Sequence, residues 1–464
     1  MRKRALVLFF ASVLSIVCVL AFASCGDTTT PGSTEESSAP APTDSGDTNA
    51  PGNADGDYHS HEYGEWYVIT PSSCTVNGER EKKCSCGHTV REQIGFSHSF
   101  VDGYCTACNE KEASEGLAYR LVNNEYYVVT GIGTCADTEI YIASIHNGLP
   151  VKMIDAQAFE GNEAITGVTI PNSVTDIGYG AFRDCSALTR VCLSNNLTYL
   201  SAGAFYECQN LECTEYEGAL YIGSSENPYL FLVKAKDTDI VTCEINENTR
   251  FIGDMAFYRC ASLERLVIPM GIVDIGSHAF SRCDILQYNE YDNGCYLGNE
   301  ENPYLVLASL KSTQITSCQI NESTVFIGST VFENCDKLES IVIPKSVRTI
   351  CASAFWECGG LKSIIFEEGS LLTNIAPAAF CDCGNLESVI LPSGVKRIAY
   401  GVFYDCKRLT SVFVPESVEY VEAWAFMLCP NLTICCEASS QPNEWSPDWN
   451  GHNYTTEWSS SLEN

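Results

Sequence analysis

The chain has 464 residues, 45% of them hydrophobic, and its 59 acidic side chains outnumber 27 basic ones, for a formal charge of −32. That balance excludes a nucleic-acid binder, which needs a basic face for phosphate, and suits a protein kept dispersed by self-repulsion. Length alone allows roughly two to four domains.

Arg2, Lys3 and Arg4 precede an apolar run over residues 5–23 that closes on Ala23-Ser24-Cys25-Gly26. A basic start, an apolar stretch and small residues read as a secretory signal. The segment, residues 1–25, resembles a bacterial lipoprotein signal, with Phe22 where such signals usually carry Leu. The resemblance implies a lipidated Cys25 that becomes the mature N-terminus and anchors the chain to the membrane. The alternative is an uncleaved anchor, since the run is almost long enough to span. Both place the remainder outside the membrane. Residues 26–57 contain no aromatic and are rich in Thr, Ser, Pro, Gly, Asp and Ala. They cannot bury enough apolar surface to fold, so a disordered tether is expected.

Residues 58–112 gather four of the seven histidines (His59, His61, His88, His98) with Cys74, Cys84, Cys86, Cys105 and Cys108. "CSCGH" and the later "CTAC" look like the two knuckles of a zinc ribbon, although Cys84-x-Cys86 is one residue shorter than the usual Cys-x-x-Cys. A Zn²⁺ held by Cys84, Cys86, Cys105 and Cys108 would be structural, because four sulfurs leave no open position. A small disulfide-stapled module is the alternative. Residues 119–150 read as a hairpin, turning at Asn123-Asn124, that caps the first coil of a repeat array.

From residue 151 to 437 the chain repeats. Phe159, Phe182, Phe205, Phe257, Phe280, Phe332, Phe355, Phe380, Phe403 and Phe426 are mostly 23 residues apart, with one spacing of 25 and two of 52. The long spacings match each other: "YIGSSENPYL" from Tyr221 and "YLGNEENPYL" from Tyr296 lie 75 positions apart. Within a unit, Leu338-x-x-Ile341-x-Ile343-Pro344 has the alternation of a strand with one face buried, and "SVRTI" supplies a second, shorter extended piece. No unit can bury its apolar face alone, so neighbours must stack. About twelve coils would make a rod or arc on the order of 55–60 Å long. Trp445 and Trp449, in residues 438–464, would plug the far end.

The pattern Leu-x-x-Ile/Val-x-Ile-Pro-x-Ser-Val-x-x-Ile…Ala-Phe-x-x-Cys resembles the BspA-like class of leucine-rich repeats, over about residues 119–450. The "NPY" insertions and the closing "CEASSQPNEWSPDWN" look like that family too. The resemblance implies an α/β, strand-rich, right-handed leucine-rich-repeat solenoid with the small Cys/His module N-terminal to it. It also implies display on a bacterial cell surface and, in some members, adhesion to host proteins.

A cysteine follows the phenylalanine by three residues in nine units: Cys185, Cys208, Cys260, Cys283, Cys335, Cys358, Cys383, Cys406 and Cys429. Catalysis needs one nucleophile beside one base, and metal sites need clustered ligands. Nine equivalent copies instead indicate small buried hydrophobes with a weak S–H donor, reduced rather than bridged. Asn162 replaces the cysteine in the first unit and is expected to donate in its place. No Gly-rich phosphate loop or nucleophile elbow is present, and His146 and His278 read as surface histidines, so the chain is not expected to be an enzyme.

Strand alternation turns two rows outward: Ser340, Ser363, Ser388 and Ser411, and beside them Val342, Ile365, Ile390 and Phe413, with Val267 extending the apolar row backwards. A sheet face in water should be polar, and contiguous apolar rows mark interaction sites. The expected partner is a protein, a host matrix or other surface protein. The alternatives are a structural role in the cell envelope or binding of a carbohydrate or envelope polymer.

Overall fold

The computed structural model describes residues 63–70, 78–85, 87–94, 100–101, 104–105, 111–201, 203–442, 445–446, 448–450 and 454–461. The first described strands, Tyr67–Thr70, Gly78–Lys83 and Thr89–Ile94, form an antiparallel sheet, and Phe100–Val101 pairs with Tyr104–Cys105. Ala118–Val122 and Tyr126–Gly131 form a hairpin. Its turn puts Asn123 and Asn124 at φ 51° and 58°, the paired left-handed geometry that asparagine tolerates best among non-glycine residues.

Each later coil has a longer strand, a turn, a two-residue strand and a second turn. The longer strands stack in parallel register, as in Ser340–Ile343 on Ser363–Phe366. The short strands do the same, as in Thr349–Ile350 on Asn374–Ile375 and then Arg397–Ile398. The strand-rich solenoid expected from the sequence is therefore present. Among the described residues its return legs are turns, not helices.

The phenylalanines and cysteines explain how the turns stack. Phe332, Phe355, Phe380, Phe403 and Phe426 are all fully buried, with consecutive ring centroids 4.6, 5.0, 5.6 and 5.7 Å apart. Wherever another plain coil follows, the phenylalanine N–H bonds to a carbonyl in that coil, as from Phe355 to Ala379 at 2.8 Å. Its own carbonyl accepts the thiol of the following coil: Cys185 to Phe159, Cys208 to Phe182, Cys283 to Phe257, Cys358 to Phe332, Cys383 to Phe355, Cys406 to Phe380 and Cys429 to Phe403, all between 2.9 and 3.2 Å. Cys260 and Cys335 each begin a run after an insertion. All nine thiols are buried and none is in a disulfide. Burial pushes Cys283 up to about 11 and Cys335 up to about 12, so both stay protonated. Asn162 works differently from the expectation: its Oδ1 accepts the N–H groups of Ala164 and Ile165 at 2.9 and 3.1 Å.

Reversing the chain this tightly takes left-handed backbone. The residue before each of the nine cysteines, from Asp184 to Leu428, has φ between 55° and 64°. None of these is glycine, so each coil carries a local steric cost of roughly 1–2 kcal/mol that the coil-to-coil hydrogen bonds offset.

The two long units are not plain coils. In the first, Thr214–Tyr216, Ala219–Ile222 and Phe231–Ala235 form an antiparallel meander before parallel pairing resumes at Phe251–Ile252. Asn289–Tyr291, Gly294–Leu297 and Val306–Leu310 repeat it in the second. These meanders divide both sheets and the core into three blocks.

The blocks do not run on as a straight rod. The Arg397 guanidinium lies 3.3 Å from Asp176, 221 residues earlier, and 3.4 Å from Glu422. It is sandwiched between the rings of Tyr199 and Tyr420, 3.9 and 4.3 Å from their centroids, and is only 5% exposed. Asp176, Tyr199, Arg397 and Tyr420 occupy outward positions of short strands in the first and third blocks. At the same register position Phe251 and Phe326 are 0% and 2% exposed. The short-strand face is thus closed against itself. At the far end, Trp449 meets the last ladder ring, Phe426, edge-on at 6.1 Å, and Trp445 donates its indole N–H to Val418 O at 3.2 Å.

Candidate functional site

With the short-strand face closed, the open side of the third block is its sheet of longer strands. Ser340 pairs with Ser363, Ser363 with Ser388, and Ser388 with Ser411, so the serine row is continuous. The neighbouring row stands out: Val342 is 46% exposed, Ile365 52% and Ile390 55%. Phe413 pairs with Ile390 and Cys435 but is 8% exposed. It therefore bounds the strip rather than extending it. Val267 does not extend it either. It lies beyond the second meander, paired with Glu244 and bridged to Gly298. Three adjacent apolar residues thus form a strip about 10 Å long at the ~4.8 Å strand spacing.

Charged groups rim the strip. Lys362 Nζ lies 2.9 Å from Glu339 in the coil before it, and Glu367 accepts the N–H of Lys345 at 3.0 Å. An apolar centre with a polar rim is the anatomy of a protein-binding patch. The ENPY segments are less adaptable. Asn227 and Asn302 donate to Asn248 O and Ser323 O at 2.9 and 2.7 Å, which ties each loop to the following coil.

The other expected sites divide between described and undescribed residues. Cys25, Cys86 and Cys108 lie outside the described residues, and Cys105 is described only as backbone of a two-residue strand. Cys84 is 6% exposed at a tight turn in which its N–H donates to His88 O at 2.8 Å and its carbonyl accepts from Gly87 at 2.9 Å. Neither His146 nor His278 is exposed. His146 stacks on Tyr119 at 4.0 Å, and burial lowers the pKa of both.

Sequence reasoning missed the seam of Asp176, Tyr199, Arg397 and Tyr420. The signal was available at Phe251 and Phe326, large apolar residues where other coils put Asp, Thr, Asn or Arg on an outward position.

The sequence profile described as "BspA type Leucine rich repeat region (6 copies)" matches residues 129–226, 234–299 and 308–433. Among solved structures, a leucine rich cell surface protein from Faecalibacterium prausnitzii is 23% identical, covering 76% of this chain and 98% of that one, with a TM-score of 0.32. A leucine-rich repeat protein from Bacteroides ovatus is 21% identical over 74% of this chain and 98% of its own, with a TM-score of 0.27. The pneumococcal vaccine antigen PcpA is 13% identical, covering 76% and 98%, with a TM-score of 0.31. No curated protein matches the chain.

Proposed function

The chain belongs to the BspA-type leucine-rich repeat family, and from that premise we propose that it is a non-catalytic, cell-surface binding protein that captures a protein ligand on the strip of Val342, Ile365 and Ile390. The observation that carries this reading is the exposure of three consecutive apolar residues, each about half open to solvent, on a sheet face where water favours polar side chains. The serine row beside them supplies hydroxyls for the partner's polar groups, and Glu339 and Lys362 set its rim. A host matrix protein or another surface protein is the class of partner such a patch suits. The repeated thiols are buried, and seven of them donate to backbone carbonyls, a packing role rather than the exposed, activated setting of a nucleophile.

The test is Ile365→Ser with Ile390→Ser in the full chain, scored by capture of a labelled host matrix protein. Re-burying the exposed half of each isoleucine is worth about 1–1.5 kcal/mol, so the pair should weaken capture by about 30- to 150-fold. Unchanged capture by a folded variant would move recognition elsewhere, first to the ENPY loops.

Two further parts of the proposal concern the N-terminal region. Lipidation at Cys25 would anchor the protein to the bacterial membrane, and metabolic labelling with a fatty acid should be lost in Cys25→Ala. A structural Zn²⁺ on Cys84, Cys86, Cys105 and Cys108 is supported by the backbone bonds that tie Cys84 to Gly87 and His88, a tight return that suits a metal knuckle. Metal analysis of the full chain should then find about one equivalent, removed by a chelator.

A further inference from the structure

The two meanders are copies 75 positions apart, so the junctions they create between blocks can be compared residue by residue. At the first junction the space between turns is filled. Tyr206 Oη reaches Met255 Sδ at 3.9 Å, and Arg183 lies over the Tyr206 ring at 5.7 Å. Gly203 leaves no room at all: a side-chain carbon there would come within 2.9 Å of Asp254 and 3.0 Å of Tyr179. At the second junction Tyr206 becomes Ser281, Met255 becomes Thr330 and Asp254 becomes Ser329. Gly203 becomes His278, which stands in the wall, but the tyrosine–methionine plug is gone, and a cleft of about 400 Å³ opens there.

We propose that this cleft is a binding site for a neutral, hydroxyl-rich ligand, a short oligosaccharide. Its volume falls in the range of small-molecule sites. Ser281, Ser309, Ser329 and Thr330 line it with hydroxyls, groups that both donate and accept and so match sugar hydroxyls. Ser329 lines the cleft, but its Oγ is turned away from it and buried with no hydrogen-bond partner, a costly state that rotating the hydroxyl onto a ligand would relieve. His278 Nδ1 sits 3.3 Å from Ser281 Oγ, holding that hydroxyl at the wall.

The charges argue against an anion. Arg282 faces two carboxylates, Asp284 and Glu333, around the cleft, so an anionic ligand is disfavoured while the one cation offsets part of the acidic wall. Burial, with the charge of Glu357, already holds the Glu333 carboxyl above its usual range, and an added anion would face that same field. Apolar wall is also present. Phe280 stacks on Phe257 at 6.2 Å on one side and borders the cleft, as does Tyr288. Rings of this kind suit the C–H face of a pyranose.

The experiment restores the plug of the first junction. Saturation-transfer NMR on the full chain would use maltotriose, cellotriose, chitotriose and xylotriose as probes, with Ala-Ala as a zwitterionic control. At least one trisaccharide should receive saturation and the dipeptide none. Ser281→Tyr with Thr330→Met should weaken that binding by about tenfold or more, while Ser329→Ala, which leaves the backbone undisturbed, should weaken it several-fold. The proposal is overturned if no trisaccharide binds, if only the dipeptide does, or if binding persists unchanged in the plugged protein. Should the plugged variant fail to fold, Ser329→Ala decides alone, and undiminished binding there overturns it.

Discussion

Replacing Arg397 by methionine tests whether the short-strand face is closed in solution. Two losses are expected. The guanidinium is held between two rings in a nearly water-free place, contacts worth about 1–2 kcal/mol together. Removing it also leaves Asp176, 15% exposed, buried without its cation, and breaking a buried pair in this way typically costs about 3–5 kcal/mol. Glu422 loses less, because it is more exposed and its other oxygen keeps the N–H of Tyr400 at 3.0 Å. Methionine refills part of the volume, so a net loss of about 4 kcal/mol is expected by urea denaturation. Asp176→Asn in the same background should recover part of it, giving a coupling of about 2 kcal/mol or more in the double-mutant cycle. The pH dependence has a definite sign. Burial raises the Asp176 pKa and Arg397 opposes that rise. Without the arginine the carboxyl titrates higher still, and the deficit of the variant should shrink as pH falls and Asp176 takes up a proton. A loss below about 1 kcal/mol with no coupling would refute the closed face.

Three other outcomes are expected from the same geometry. Thr249 and Thr324 sit fully buried where other coils carry Val174, Val347 or Val395, and their hydroxyls have no partner. Thr249→Val and Thr324→Val should each stabilise the protein by about 1 kcal/mol, read from the shift in denaturation midpoint. Burial pushes Asp254 up to about 6 and Asp274 up to about 7. Their contribution is therefore complete below the ordinary carboxylate range and is lost as pH rises through 6 to 7. Melting temperature should fall over that interval, and Asp274→Asn should flatten the upper part of the fall. Among the described cysteines, alkylation of the native protein should spare the nine ladder thiols and reach the half-buried Cys135, Cys192, Cys213, Cys295, Cys381 and Cys435 first. Rapid labelling of Cys358 or Cys406 would contradict the ladder.

The coil itself was legible because its determinants are local. Alternation at Ile341 and Ile343, the proline after them and the recurring Phe-x-x-Cys fix strand, stop and turn within a single unit. The serine and apolar rows came from the same alternation, and three of the four apolar residues are where it put them. Phe413 shows the limit: register places a residue, but its neighbours decide whether it meets water. The seam was illegible for a different reason. Arg397 and Asp176 are ordinary polar residues at outward positions, and what joins them is the accumulated rotation of the coils and two meanders between. No window of sequence contains that sum.

The seam also changes how force would travel through the molecule. In an unclosed stack, a load applied at Val342 and Ile390 and resisted at the N-terminus passes through every coil between, including both meander junctions. The bond from Arg397 to Asp176 joins the third block directly to the first. Tension then divides between the backbone and this shortcut, and the middle block, residues 214–286, lies in a slack bight. A protein tethered at one end and gripped near the other would unravel first by shearing the seam, and only afterwards by peeling coils.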